Sequence, residues 1–394
     1  MSVGRDEAGV LARSKEATLG RTGTKEIVVK PFMLTAFVVL FSGIAVAQEP
    51  VLVLEGGTLI DGTGRAPVED ALVIVTGNRI TTVARQGQVE VPAGATVIQT
   101  DGQTILPGLV DTHVHLRDWH YPMYLAYGVT TMADTHNDTP WSIAQRALLK
   151  SGLMQGPRLF VSGARVTGPL GQLVTNAAGE IVEDPGYVED AEEARAYVRY
   201  LNAIGVDHVK IDLTITDAQL AAVLDESRKL GLRVFGHTRN IKTAVDLGMR
   251  HMEHMNTMAR ALLEQEGRLA TLPEGTAVEA AVNPDLFPPL IEYMALQGVS
   301  IDPTLYFWMR PEQWRYAREV VEPIANDPGL AFVPTEVKER WVQGRDTPRQ
   351  GYDNVVEFLT QYAEAGGKIL VSSDAHMRAN GPGFTMHIEM QMMT

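Results

Sequence analysis

Cysteine is absent from all 394 residues, which excludes disulfide bonds and a lipidated cysteine anchor. A basic face is missing as well. Forty-eight acidic against 34 basic residues leave a formal net charge of -14, and no Lys/Arg cluster interrupts that excess. Phosphate binding needs such a cluster, so nucleic acid is excluded as a partner, and the acidic surface mainly keeps the chain soluble. Long apolar runs are scarce: "PFMLTAFVVLFSGIAVAQ", residues 31 to 48, is shorter than the ~20 residues that cross a bilayer comfortably. There is neither an internal repeat nor a low-complexity tract.

That apolar run follows Lys25 and Lys30 and closes on Ala45-Val46-Ala47, a small-x-small cleavage signature. Residues 1 to 47 therefore read as a signal peptide, cut before Gln48. The stretch before Lys25 is long for such a segment, and a working start codon downstream of Met1 is the corresponding expectation. The expected product is exported, periplasmic or secreted, with no stable membrane association after cleavage. Nothing in the composition excludes a homo-oligomer.

With 45% hydrophobic and 21% charged residues, the chain is long enough for a barrel domain beside a smaller one. Between Val51 and Gln99, "VLVLEGGTLIDG", "ALVIVTGNRITTVA" and "ATVIQT" alternate with turns, and Gly77-Asn78 stands where a hairpin turns. Residues 48 to 103 thus form a small β unit. From Thr104 to the end, strand-like runs alternate with helix-like ones, the pattern of a parallel α/β fold. Strands are expected at Leu109 to His115, Val129 to Asp134, Arg158 to Gly163, His208 to Leu213, Arg233 to His237, Met249 to His254, Val299 to Leu305 and Lys368 to Asp374. Eight is the count of a closed (β/α)8 barrel of the TIM type. "AEEARAYVRYLNAIG" and "DAQLAAVLDESRKLG" read as helices closing on glycine. Residues 256 to 280 and 307 to 352 exceed what a barrel connection needs and are expected to shape a pocket.

Within "ILPGLVDTHVHL", residues 105 to 116, side chains two apart share a face, so His113 and His115 converge on one point. Val110, Thr112, Val114 and Leu116 take the other face, against helices. Further polar residues close later strands: Lys210 in "HVKIDL", His237 in "VFGHT", His254 in "RHMEHM" and Asp374 in "VSSDAH". Alternation turns Lys210 inward with His208 and Asp212. A buried lysine must pair, neutralise or react. Taken singly, His237 or His254 reads as a hydrogen-bonded core histidine and Asp374 as a helix cap; collected at the catalytic mouth of one barrel, they read as a metal site.

In this order, "ILPGLVDTHVHL", "VKI", "GH", "EH" and "SSDAH" resemble the amidohydrolase superfamily, within it the imidazolonepropionase-like group that includes Xaa-Pro dipeptidases. The resemblance runs from Val51 to the C-terminus. It implies a barrel with a small β-sandwich domain and a site for two divalent ions, usually zinc. His113, His115 and Asp374 would hold one ion, His237 and His254 the other, and a carboxylated Lys210 would bridge them. Two such ions lower the pKa of a shared water, and a hydroxide bridging them would attack the carbonyl of an amide or peptide C–N bond. Asp374 would shuttle the proton to the leaving nitrogen.

Two other reactions use related sites. A mononuclear deaminase needs an acid three positions after the His237 equivalent, where this chain has Asn240; a cyclic amide hydrolase of dihydroorotase or hydantoinase type uses the same ligands. Dipeptides or N-acyl amino acids are the expected substrates, with Tyr306, Arg165 and His136 as candidate contacts. "TGPLGQLV", after the third strand, departs from relatives that carry histidine or arginine there. Because relatives continue past residue 394, the C-terminal half of the sandwich and part of the last helix are expected to be missing, with an inactive relative as the corresponding alternative. Such a chain should leave the sheet of Val51 to Gln99 with a bare face and aggregate, whereas an extended version should be soluble and active. On export, the mature protein is expected to begin at Gln48: intact-mass measurement of the secreted fraction checks this, and an unprocessed cytosolic product would overturn it.

Overall fold

"ALVIVTGNRITTVA" folds into the hairpin its pattern predicts, strands Ala71–Thr76 and Arg79–Arg85 turning at Gly77-Asn78. The computed structural model describes residues 49–169, 173–175, 181–183, 185–309, 311–343, 351–375 and 380–394. The expected signal peptide and residues 170–172 of "TGPLGQLV" lie outside them. The chain divides into two compact units, the smaller holding residues 49–56 and 70–101 of the described chain.

In that unit four strands lie in the order Arg79–Arg85, Ala71–Thr76, Val51–Glu55, Thr96–Gln99. Val53, Leu72 and Ile74 form its core. Ile80 and Val83 on one edge strand and Ile98 on the other are 68%, 53% and 47% exposed, so apolar surface remains open to water. The short strands Thr58–Leu59, Val68–Glu69 and Thr104–Ile105 pair with one another in the larger unit.

The larger unit is α/β, with eight parallel strands labelled β1 (Leu109–Val114), β2 (Val129–Asp134), β3 (Arg158–Val161), β4 (His208–Ile211), β5 (Arg233–Gly236), β6 (His251–Glu253), β7 (Ser300–Asp302) and β8 (Lys368–Ile369). β1, β2 and β3 pair in parallel, with register shifts along β1 after Leu109 and after Asp111; β4 pairs with β5, and β6 with β7 and β7 with β8, without a shift. Single bridges extend the order: Val166 to Ile211 beyond β3, and Val114 to Ala375 between β1 and the segment after β8. The Phe235 and His251 rings meet between β5 and β6, with centroids 4.6 Å apart.

Helices connect the strands and cover their apolar sides. Ala191–Ile204 starts on Asp190, whose carboxylate accepts from the N–H of Glu192 and Glu193, and stops at Gly205 in the left-handed region (φ 89°). Asp217–Leu230 starts with a reciprocal Thr216/Gln219 capping box and stops at Gly231. Their apolar stripes, including Val198, Leu201, Leu220 and Val223, enter one large core with Val209 and Ile211 of β4. Among the described residues of 256–280 and 307–352, Asn256–Gln265, Pro311–Ala325 and Thr335–Gln343 are helices, and Val278–Ala281 begins at the end of the first stretch. Of the helix-facing side expected for β1, Val114 and Leu116 are fully buried, whereas Val110 is 49% exposed.

The strands are shorter than their sequence pattern predicts. The ladders stop at Val114, Gly236, Glu253, Asp302 and Ile369, short of His115, His237, His254, Leu305 and Asp374. At three of these ends the backbone leaves extended geometry, with φ 59° at His254, 49° at Thr304 and 49° at Asp374. A left-handed non-glycine residue cannot continue a ladder.

The last helix, Phe384–Met392, buries Phe384, Met386, Ile388 and Glu389. Glu389 caps a distant turn: its two carboxylate oxygens accept from the N–H of Leu305 at 2.6 Å and Tyr306 at 2.8 Å, the first donors of the 3-10 turn Leu305–Trp308. A buried donor left without a partner costs about 1–3 kcal/mol. Glu389→Ala orphans both, and is expected to lower the urea midpoint of unfolding clearly; an unchanged midpoint would show that the tether contributes nothing.

Candidate metal centre

Two strands distant in sequence are stitched together where the first histidines lie. Beyond β8 the N–H of Asp374 donates to the His113 carbonyl at 2.9 Å, and the N–H of His115 to the Ala375 carbonyl. Asp111 secures the same seam from within: its carboxylate accepts from the Ser373 N–H at 3.0 Å, the Ser373 hydroxyl at 2.5 Å and the His113 N–H at 3.3 Å. Asn380 holds the Ser373 carbonyl from the far side at 2.7 Å. Asp374 is thereby fixed over β1 despite its left-handed backbone, a strain worth roughly 1–3 kcal/mol.

Imidazoles collect around its carboxylate. Asp374 Oδ1 lies 3.1 Å from His115 Nε2 and 3.5 Å from His113 Nε2, and its Oδ2 lies 3.9 Å from His254 Nε2. Ligand atoms of His113, His254 and Asp374 all fall within 4.8 Å of one another. The His113 ring is 5.4 Å from that of His115 and 5.0 Å from that of His254, which stands 4.9 Å from His237. His254 is thus as near to the His113 and Asp374 pair as to His237, although the expected ligand division puts it with His237 alone.

The remaining members meet at a residue that the sequence pattern did not bring forward. Glu253 is fully buried, its Oε2 touching Lys210 Nζ and lying 3.6 Å from His237 Nε2 and 3.8 Å from His113 Nδ1. Asp302, its register partner across β6 and β7, places Oδ2 3.3 Å from His113 Nδ1 and receives the Ser372 hydroxyl on Oδ1. A sequence signal existed for both: Glu253 is two residues from His251 on one strand face, and Asp302 is an acid at a strand end, as Asp374 is.

Protonation follows from these surroundings. Burial holds His113 and His237 well below the usual imidazole range, and His254 down to about 3, with the Lys210 charge adding to the effect at each. All three are neutral at pH 7. The Thr304 hydroxyl lies 2.6 Å from His254 Nδ1 and holds the ring with Nε2 toward Asp374. For Asp374, burial raises the carboxyl, but His113, His115 and His254 outweigh it and hold it below the ordinary range. Burial pushes the Lys210 ammonium down to about 7 against the pull of Asp374, Asp212 and Asp302.

Substrate-contact candidates fall in two places. Arg165 pairs with Asp212 at 3.1 Å, and its backbone N–H donates to His136 Nδ1 at 3.2 Å; the His136 ring is 6.4 Å from that of His115. Both stand beside the histidine cluster. Tyr306 is only 2% exposed, packed with Met123, Met309 and Trp341 under the helices Pro311–Ala325 and Thr335–Gln343. Asn240 caps the helix Ile241–Asp246 by accepting from the Thr243 N–H.

The donor set fits divalent metal. Neutral imidazoles and ionised carboxylate are its ligands, and a buried group of atoms has no hydrogen-bond partner: both His113 nitrogens, His237 Nε2, Glu253 Oε1 and Asp302 Oδ2.

No protein-family model matches the chain. A dihydroorotase of Pelotomaculum thermopropionicum is 26% identical over 277 residues, 60% of this chain and 60% of that protein, so the chain spans less than two thirds of this relative's length. A molinate hydrolase structure superposes with a TM-score of 0.63 at 20% identity, covering 88% of this chain and 81% of that one. A Xaa-Pro dipeptidase with methionine in its active site gives 0.60 at 19% identity, with 87% and 84% covered. These likenesses establish a shared fold.

A carboxylate behind a ligating imidazole orients the ring, and its loss typically costs 10–100-fold in metal affinity. Asp302→Ala is expected to weaken divalent-metal binding by that factor in a chelator competition, with Asp302→Asn falling between it and the parent; equal affinity in all three would remove Asp302 from the centre.

Proposed function

We propose that this chain, a member of the amidohydrolase superfamily, hydrolyses an amide or peptide C–N bond in dipeptides or N-acyl amino acids, exported from the cell. The observation that carries the reading is the convergence of His113, His115, His237, His254 and Asp374 about buried, unpartnered polar atoms. In this reading the ring of eight parallel strands is a (β/α)8 barrel, and residues 49–56 and 70–101 belong to a β-sandwich.

His113, His115 and Asp374 would hold one zinc ion, His237 and His254 the other, and a carboxylated Lys210 would link them. When bound, such ions lower the pKa of water and polarise a carbonyl. The chain's own residues do the rest. Asp374, ionised and within 3.1 Å of His115, can take a proton from the attacking water and return it to the leaving nitrogen. Arg165 and His136 flank the cluster and would meet the polar end of a substrate.

A second reading is cyclic amide hydrolysis, favoured by the dihydroorotase relative, which fits the same residues equally well. Deamination is the poorest fit, because Asn240 is engaged as a helix cap.

Purified, zinc-loaded protein assayed against dipeptides, N-acyl amino acids, hydantoins and dihydroorotate separates these readings. Two ions per chain are expected, with His113→Ala abolishing turnover and the tighter ion, and Lys210→Ala losing turnover that bicarbonate or short-chain carboxylic acids partly restore. One ion per fully active chain, or wild-type turnover in Lys210→Ala, would sink the binuclear arrangement.

A further inference from the structure

The family-derived ligand set leaves Glu253 without a task, yet its position is the least explicable in the molecule if it has none. Both carboxylate oxygens are buried, and Oε1 accepts no hydrogen bond. Its backbone is fixed by the β6 to β7 ladder, where Glu253 stands opposite Asp302. Removing an ionised carboxylate from water costs several kcal/mol, recovered only by a paired charge or a metal.

Lys210 supplies one charge, in contact with Oε2. An ion pair alone does not explain the rest of the surroundings. The same Oε2 faces His237 Nε2 at 3.6 Å, and no hydrogen bond joins them. Two ligand atoms at 2.0–2.2 Å from a tetrahedral ion lie roughly 3.4 Å apart. His237 Nε2 and Glu253 Oε2 match that spacing, as do the 3.1 Å and 3.5 Å separations from Asp374 Oδ1 to His115 and His113. The centre therefore has two nitrogen-and-carboxylate pairings, one built on Asp374 and one on Glu253, with the His254 ring between them.

We infer that Glu253 is a metal ligand, supplying a carboxylate to the second ion beside His237. The inference rests on the binuclear reading above and adds a ligand to it. It also gives the centre a second fixed negative charge against two divalent ions, whatever the state of the Lys210 nitrogen.

The test uses the full chain, stripped with chelator, reloaded with zinc or cobalt, and measured by elemental analysis, competition titration and the cobalt absorption spectrum. The parent, Glu253→Gln, Glu253→Asp and Lys210→Met are compared. Two ions in the parent and one in Glu253→Gln, with the tighter ion unchanged, are expected. Two ions in Glu253→Gln, the weaker held within threefold of the parent, would overturn the inference while leaving the binuclear reading intact, above all if Lys210→Met loses an ion. One ion in the parent would overturn both. Should Glu253→Gln fail to fold, Glu253→Asp keeps the charge one methylene further back: the weaker ion is then expected to loosen at least tenfold with an altered cobalt spectrum, and unchanged affinity would overturn the assignment.

Discussion

Charge buried away from water has to be answered by opposite charge, and the centre of the larger unit concentrates that demand. Asp111, Glu253, Asp302 and Asp374 are each no more than 5% exposed, and Lys210 is the basic side chain buried among them. The imidazoles of His113, His115, His237 and His254 occupy the spaces between. A carboxylate such as Asp111 is satisfied by hydrogen bonds from Ser373 and His113; Asp374 faces the His113 and His115 imidazoles instead, and Glu253 faces Lys210 and His237. The first arrangement is structural. The second is what a cation-binding cavity requires.

The scaffold keeps these groups from relaxing into ordinary ion pairs. Left-handed backbone at His254, Thr304 and Asp374 turns each side chain off its strand, and each turn is held from outside. Ser373 and Asn380 brace Asp374, Thr304 braces the His254 ring, and Glu389 reaches across from the last helix to cap the turn after β7. Strain distributed over three strand ends is opposed by buried hydrogen bonds rather than by apolar packing, which suits a cavity that must keep its shape while remaining polar.

Much of this was legible in the sequence because it is local. A period of two brings His113 and His115 together and turns Lys210 away from Val209 and Ile211; glycines 205 and 231 end their helices; Gly77-Asn78 turns its hairpin. The strand ends were overestimated because the pattern of residue types continues through positions where the backbone does not. Glu253 and Asp302 were missed for another reason. They sit opposite each other only through the pairing of β6 with β7, 49 positions apart, and the spacing of Glu253 from His251 or the strand-end place of Asp302 does not reveal that meeting. The burial of Tyr306 is equally non-local, since helices that follow it in the chain fold back over its ring.

The seam between β1 and the segment after β8 has a kinetic consequence. Asp111 and Ser373 are 262 residues apart, and Asp374 reaches His113 across nearly the same interval. Loop closure over such a span is slow, and contacts of this kind form after local pairs such as β1 with β2. The site is therefore completed late, when the first and last strands meet. A chain emerging from synthesis carries its histidines long before it carries the aspartate that gathers them. Until the seam shuts, those imidazoles are ordinary side chains on an open sheet, without the carboxylate that gathers them.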